Sequence, residues 1–526
     1  MNYIVNISSK LIIGLFVFML PALAADKPLA DYPHYTLASS EAYDFNRISA
    51  YTGKHERIYA HIDKNLDSHF KNIQRWVQQR SISAQNVGIT EMAELLRDDL
   101  AAIGFSETTL VPSAGHPGVW GYYDAGATKT LLVYMMYDVQ PVNEEDWESP
   151  PFEGKLVERD FGQVLMARGA TNQKGPQRAF LNAIESIIKV NGTLPVNLMV
   201  LAEGEEELGS PNYPQLVDAY ETRLKSADGV LFPFNSQNLK GDLTVLLGVK
   251  GINYWELESK GGSWGGPGKS EIHGSYKSVV DSPTQRLIAA IASMTTADGN
   301  TILIDGYYDD VRPPTVEESM LINAMSNKWS AADWKNQLSL SQFIHDQKGE
   351  AVLMRYLYDV SLNVDGIWSG YTGEGVKTIL PHIATAKMDS RLPMGVDPDT
   401  QFARLRKHLD EYGFRDIIIR KLSGYPAAQT SVDAPLVQAA MGVFSKWANI
   451  TSVMPRIGGS APFYQFTERL GLPLVFNGLG HGSGAHGPNE YMLIYPHKDS
   501  KVAGLADIEK SYVDLLFALA EPADQK

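Results

Sequence analysis

Cysteine is absent from the 526-residue chain, which removes disulfides, a thiolate nucleophile and Cys-ligated zinc together. A long basic run is also missing, and the formal net charge is -15. Both features argue against nucleic acid and anionic membranes as partners. Long apolar runs are scarce. The one candidate, Leu11–Leu20, follows Lys10 and precedes the small-residue stretch Pro21-Ala22-Leu23-Ala24. It is too short for a comfortable bilayer span and reads as a signal peptide covering residues 1–24, with an uncleaved anchor as the alternative. The expected product is periplasmic or secreted, with no stable membrane span after processing. No internal repeat or low-complexity tract is evident.

What is present describes a large globular protein. Hydrophobic residues make up 44% and charged residues 20%, ordinary values for a folded soluble chain, and the length implies more than one core. Residues 25–60 read as an N-terminal extension. Helical spacing then covers Ile58–Arg80 and Met92–Ile103. The continuous apolar runs Thr130–Asp138, Val196–Glu203 and Gly229–Phe234 suit buried strands, with the helix-like Gln177–Val190 among them. Buried strands alternating with helices imply a mostly parallel sheet covered by helices, an α/β domain. Near Gly248 the character changes, and Ile252–Ser259 alternates like a half-exposed strand. The expected division is 61–247 for the first part of the α/β domain, 248–424 for an inserted α+β domain, and 425–526 for the return to the first domain.

Four segments carry chemistry. Glu203-Gly204-Glu205-Glu206-Glu207 follows a buried strand. The carboxyl ends of strands in an α/β sheet are where ligands bind, and clustered carboxylates call for a cation or a shared proton. A solvated acidic turn is the alternative. Asp138, in Tyr137-Asp138-Val139-Gln140-Pro141, also stands at a strand end, where a turn cap is the plainer reading. The turn Arg168-Gly169-Ala170-Thr171-Asn172-Gln173-Lys174-Gly175 leads into a helix. Finally, His481 and His486 lie in a Gly-rich loop ending at Asn489-Glu490, a setting that suits ligands better than core histidines.

In order and spacing these four segments resemble the carnosinase/aminoacylase metallopeptidase superfamily, in its dipeptidase-like branch. Gly373–Pro381, Asp389-Ser390-Arg391-Leu392-Pro393 and Gly458-Gly459-Ser460-Ala461-Pro462 extend the resemblance over most of the mature chain. It implies hydrolysis of an amide bond by water activated on divalent metals, usually zinc, with a Glu taking the water's proton. By position Glu206 matches the general base, and Glu207 and His486 match metal ligands. Arg391 matches the residue that grips a substrate carboxylate, a task suited to a planar bidentate donor. His273 resembles a catalytic lid histidine that reaches a partner subunit's site and polarises the scissile carbonyl, which implies a homodimer. Gly459 and Ser460 fall where the family binds substrate.

The departures are equally specific. Met136 stands where the family has its first His ligand, Asn172 where it has the bridging Asp, and Phe234-Asn235 where a further Asp follows the third strand. Thioether sulfur is a weak zinc ligand, phenyl donates nothing, and an amide oxygen carries no charge. The expectation is therefore one divalent ion, zinc, held by Glu207, His486 and Asn172. Asp138 enters as a catalytic residue, and Asp138, Glu205 and His481 as substitute ligands. The substrate expected is a small carboxylate-bearing dipeptide or N-acyl amino acid. A hydrolase with a rebuilt two-metal site, and a metal-free binding protein or pseudoenzyme on the same fold, are the alternatives.

Overall fold

The computed structural model describes residues 35–326 and 329–521; the expected signal peptide lies outside them. Among the described residues no helix is long and apolar enough to cross a membrane.

The main sheet has six strands. From edge to edge they are Glu107–Val111, Gly118–Tyr123, Asn197–Glu203, Thr130–Met136, Gly229–Leu231 and Leu474–Val475. The first two are antiparallel to their neighbours, and the last four run parallel to one another. This is the mixed α/β sheet expected from the apolar runs.

The side chains of the two central strands sort by parity, as the period of two demands. Leu131, Val133 and Met135 face one core with the helices Glu56–Gln78, Lys174–Asn191 and Leu505–Ala520. Leu132, Tyr134 and Met136 face a second core with the helix Tyr213–Leu224 and an aromatic group that includes Phe232, Phe463 and Phe466. Burial on both faces explains why these strands read as unbroken hydrophobic runs.

A second sheet contains only antiparallel strands, in the order Asn363–Ser369, Ile383–Leu392, Gly251–Lys260 and Ile418–Tyr425. Gly251–Lys260 alternates buried and half-buried residues. Trp255 and Leu257 enter a separate core with Leu287, Ala386, Met388 and Leu405. The short antiparallel pair Gly248–Val249 and Ala428–Gln429 marks where the chain passes between the two sheets.

A third, four-stranded antiparallel sheet pairs Tyr491–Pro496 with Gly162–Met166. That pairing brings the loop carrying His486 beside the turn carrying Asn172.

The segment expected as a plain extension is held firmly. Tyr43 N–H donates to the Met320 carbonyl at 2.9 Å, and Tyr51 N–H to that of Gly442 at 2.8 Å. From Tyr35 onward the described chain forms one compact unit.

Candidate functional site

Met136 and Glu203 stand opposite each other in register at the carboxyl ends of adjacent parallel strands. The segments that follow them, Tyr137-Asp138 and Gly204–Glu207, therefore emerge side by side. Asp138 is fully buried. Its Oδ2 accepts from the Ser83 hydroxyl at 2.8 Å and from Glu207 N–H at 3.0 Å, and its Oδ1 accepts from Glu206 N–H at 3.2 Å. Asp138 thus shapes the turn that presents Glu206 and Glu207, and its own oxygens are occupied.

Burial and mutual repulsion push these acids toward their protonated forms. Burial, then the Glu207 carboxylate, pushes Asp138 up to about 7. Burial pushes Glu203 up to about 8, against the Tyr134 hydroxyl that donates to it at 2.7 Å. Glu206 is raised well above the usual carboxylate range by burial and then by Glu207, Asp138 and Glu203.

Glu207, Asn172 and His486 converge. Asn172 Nδ2 lies 2.8 Å from Glu207 Oε1 and 3.2 Å from His486 Nε2. His486 Nε2 lies 3.2 Å from Glu207 Oε2. Gln140 Nε2 donates to Glu207 Oε2 at 2.8 Å.

One buried ion pair sets this meeting. Glu490 accepts from Arg168 Nη1 at 2.7 Å and from the backbone N–H groups of Gly169, Thr171 and Asn172 at 3.1, 2.9 and 2.9 Å. Arg168 also donates to the Gly487 carbonyl at 3.0 Å, so the pair fastens both loops. His486 has a φ of 64°; a left-handed non-glycine residue costs on the order of 1–3 kcal/mol, and such residues gather at functional sites.

Three side chains that could hold a cation meet here: Glu207, His486 and Asn172. If His486 Nε2 carries a proton, it faces the Asn172 amide protons; if it does not, it faces the Glu207 carboxylate. Turning the Asn172 amide over, an assignment that rests on the hydrogen-bond network, would direct three donor atoms at one point.

The positions of the family's other metal ligands carry no carboxylate or imidazole here, although Asn235 Oδ1 is buried without a partner. Met136 is 1% exposed and packs in the apolar cluster, with Phe234 against it. Asn235 donates to Thr171 Oγ1 at 3.2 Å. Among the described residues no three His, Asp or Glu side chains gather as a metal site. The substitute ligands proposed from sequence are engaged elsewhere. Glu205 accepts from Asn212 at 2.8 Å, and His481 contacts the Gln237 carbonyl at 2.8 Å and the Tyr491 hydroxyl at 3.1 Å.

The second sheet supplies the opposite wall. Arg391 Nε donates to Asp389 Oδ1 at 3.1 Å and Nη1 to Ser460 Oγ at 3.0 Å. Ser460 in turn donates to the Gly251 carbonyl at 3.0 Å, and the Gly459 carbonyl accepts from Lys250 N–H at 3.0 Å. Ser423 Oγ donates to the Gly209 carbonyl at 3.3 Å, so the last strand of the second sheet meets the acidic turn. His273 lies apart from these groups within its own chain. It is exposed, with Nδ1 at 2.8 Å from Ser275 Oγ and Nε2 at 3.3 Å from Thr378 Oγ1.

Sequence reasoning assigned no role to Gln140, Arg168, Glu490 or Tyr425. The first three lie inside the recognised segments and could have been read as their supports. Tyr425 ends an ordinary alternating strand and carries no local signal.

Comparison with known proteins agrees with this architecture. Residues 132–506 match the family described as Peptidase family M20/M25/M40. The Cys-Gly metallodipeptidase DUG1 of Candida albicans is 30% identical over 434 residues, covering 76% of this chain and 85% of the relative. The human Beta-Ala-His dipeptidase is 26% identical over 377 residues, covering 68% and 71%. The crystal structure of the M20 family metallo-carboxypeptidase Sso-CP2 from Sulfolobus solfataricus superimposes with a TM-score of 0.74 at 32% identity, covering 86% of this chain and 98% of that one.

Proposed function

Because the chain belongs to the M20/M25/M40 family of peptidases, whose matched relatives include metallodipeptidases, we propose that it is an exported hydrolase of small substrates. The bond cleaved is an amide, in a dipeptide or N-acyl amino acid bearing a free carboxylate. The observation that carries this reading is the convergence of Glu207, Asn172 and His486 at 2.8–3.2 Å beside the Glu206 carboxyl. Glu207, His486 and the turned Asn172 amide would hold one divalent ion, zinc by its donor types. Bound there, it supplies a Lewis acid and lowers the pKa of a coordinated water.

The chain's own groups perform the rest. Glu206 accepts a proton from the attacking water and returns it to the leaving nitrogen. Asp138 holds the Glu206–Glu207 turn through two backbone N–H groups. Arg391, fixed by Asp389 and Ser460, receives the substrate carboxylate, and Gly459-Ser460 line the same wall.

A homodimer is part of the proposal. Asn363–Ser369 is an edge strand of the second sheet and exposes Val364, Ile367 and Trp368, an edge that invites pairing. His273 would act on the partner's site. Export rests on the Lys10 to Ala24 pattern.

The test is turnover of a dipeptide panel by zinc-loaded protein, with and without a chelator. Hydrolysis that stops on chelation and returns with zinc supports the reading. No hydrolysis of any free-acid dipeptide or N-acyl amino acid would leave only the binding-protein alternative.

A further inference from the structure

We propose that the hydroxyl of Tyr425 is a catalytic group that donates a hydrogen bond to the scissile carbonyl oxygen as it becomes negatively charged. The inference rests on the hydrolase reading above and adds a residue to it.

The geometry comes first. Tyr425 ends the strand Ile418–Tyr425, where the chain leaves the second sheet. That strand end touches the acidic turn, since Ser423 Oγ donates to the Gly209 carbonyl at 3.3 Å. The ring is 7% exposed and is stacked on Tyr464 with centroids 5.7 Å apart and planes 12° from parallel. Such packing fixes the direction of the phenol. The Tyr464 hydroxyl already accepts from Gln465 Nε2 at 2.6 Å. The Tyr425 hydroxyl has no hydrogen-bond partner among the described residues, and it is not sealed from solvent either. A buried tyrosine ordinarily finds a partner for its O–H, so a free one opening on a cleft points to a partner that arrives with the substrate.

The neighbours say which part of the substrate arrives there. Tyr425 ends the strand that touches the acidic turn through Ser423, and it lies within electrostatic reach of both Glu206 and Arg391. In a dipeptide the carboxylate is only three bonds from the scissile carbonyl carbon. With the carboxylate on Arg391 and the attacking water at Glu206, the scissile amide must occupy the space between them, over Tyr425. Burial and the nearby Glu206 hold the phenol above its ordinary range, so it keeps its proton and acts as a donor.

The step balances without loss of that proton. Water oxygen bonds to the carbonyl carbon, its proton passes to Glu206, and the carbonyl electron pair moves onto oxygen, where the Tyr425 O–H meets it. Re-formation of C=O then breaks the C–N bond, and Glu206 returns the proton to the leaving nitrogen. Met136 and Phe234 provide no charge on their side of the site, so a neutral donor for the developing oxyanion has a defined place here.

The test is Tyr425→Phe, which keeps the stacked ring and removes only the hydroxyl. Zinc-loaded wild-type and variant proteins are compared on the same free-acid dipeptide, with melting temperature as the check on folding. The expected result is kcat lowered by about 10²–10³-fold, the usual scale for one oxyanion donor, with KM within about threefold. A phosphinate dipeptide analogue, which imitates the tetrahedral intermediate, should lose affinity in the variant by a similar factor. Wild-type kcat in Tyr425→Phe overturns the inference and leaves the hydrolase reading standing. So does a rise in KM alone, which would mark ground-state binding. Absence of turnover by the wild-type protein on every substrate overturns both.

Discussion

His486 Nε2 lies 3.2 Å from Glu207 Oε2, and the Glu207 side chain is 4% exposed against 59% for His486. The pair joins a loop near the end of the chain to the turn after a central strand. One partner is sealed among amides and the other faces the cleft mouth. The raised pKa of the imidazole comes first from its bond to Glu207 and is opposed by burial. A cation bound between them must displace the imidazole proton, so metal affinity should increase with pH.

Metal content checks the donor set. The protein should retain no more than one zinc equivalent after dialysis, by elemental analysis. Glu207→Gln and His486→Ala should each lose it. Asn172→Asp should tighten that site by adding a carboxylate, and the triple change Met136→His, Asn172→Asp, Phe234→Asp should bind a second ion. Two tight equivalents in the unaltered protein would mean that other ligands serve.

Substrate charge checks Arg391. A dipeptide amidated at its carboxyl end should react at least tenfold more slowly than the free acid, since a charge-assisted hydrogen bond contributes about 1.5–3 kcal/mol. Arg391→Lys should lower kcat/KM for the acid and leave the amide little changed. Equal rates on acid and amide would remove Arg391 from this role.

The acids predict a pH slope in stability. Glu203 titrates at about 8 in the folded chain and at about 4.3 when unfolded. Between these values the unfolded chain has released a proton that the native state keeps. The contribution is therefore complete below about pH 4 and is lost as the pH rises through 8. Asp138, at about 7, acts with the same sign. In chelator, denaturant midpoints should fall from about pH 5 to about pH 8.5, and Glu203→Gln should flatten part of that fall. An unchanged slope would assign the loss to other groups.

Hybrid dimers test Glu206 and His273 together. Glu206→Gln should lower kcat by about two to four orders of magnitude with the fold intact, and His273→Ala should also be impaired. Mixing the two inactive proteins should restore activity, because one hybrid site then carries both wild-type groups. Trp368→Glu, on the exposed edge strand, should shift sedimentation toward the monomer and abolish that rescue. No recovery in well-mixed hybrids would place the action of His273 elsewhere.

Sequence alone determined the central strands, because burial on both faces leaves unbroken apolar runs at Thr130–Met136 and Asn197–Glu203. It also located the acidic turn at a strand end, and the resemblance to the metallopeptidase family set Met136, Asn172 and Phe234 against positions where that family has charged or imidazole donors. These are local facts, legible from residue type and order. Tertiary structure decided the partners. Glu205 and His481 read as spare ligands, yet each is bound by a neighbour distant in sequence, Asn212 and Gln237 respectively. Asp138 reads as a catalytic acid, yet its oxygens are taken by Ser83 and by the backbone of its own site. Tyr425 carries no sequence signal at all; it reaches the cleft because the second sheet returns its last strand to the acidic turn. Hydrophobic pattern records whether a side chain is buried, whereas hydrogen bonds between residues far apart in the chain exist only once the sheets are closed against one another.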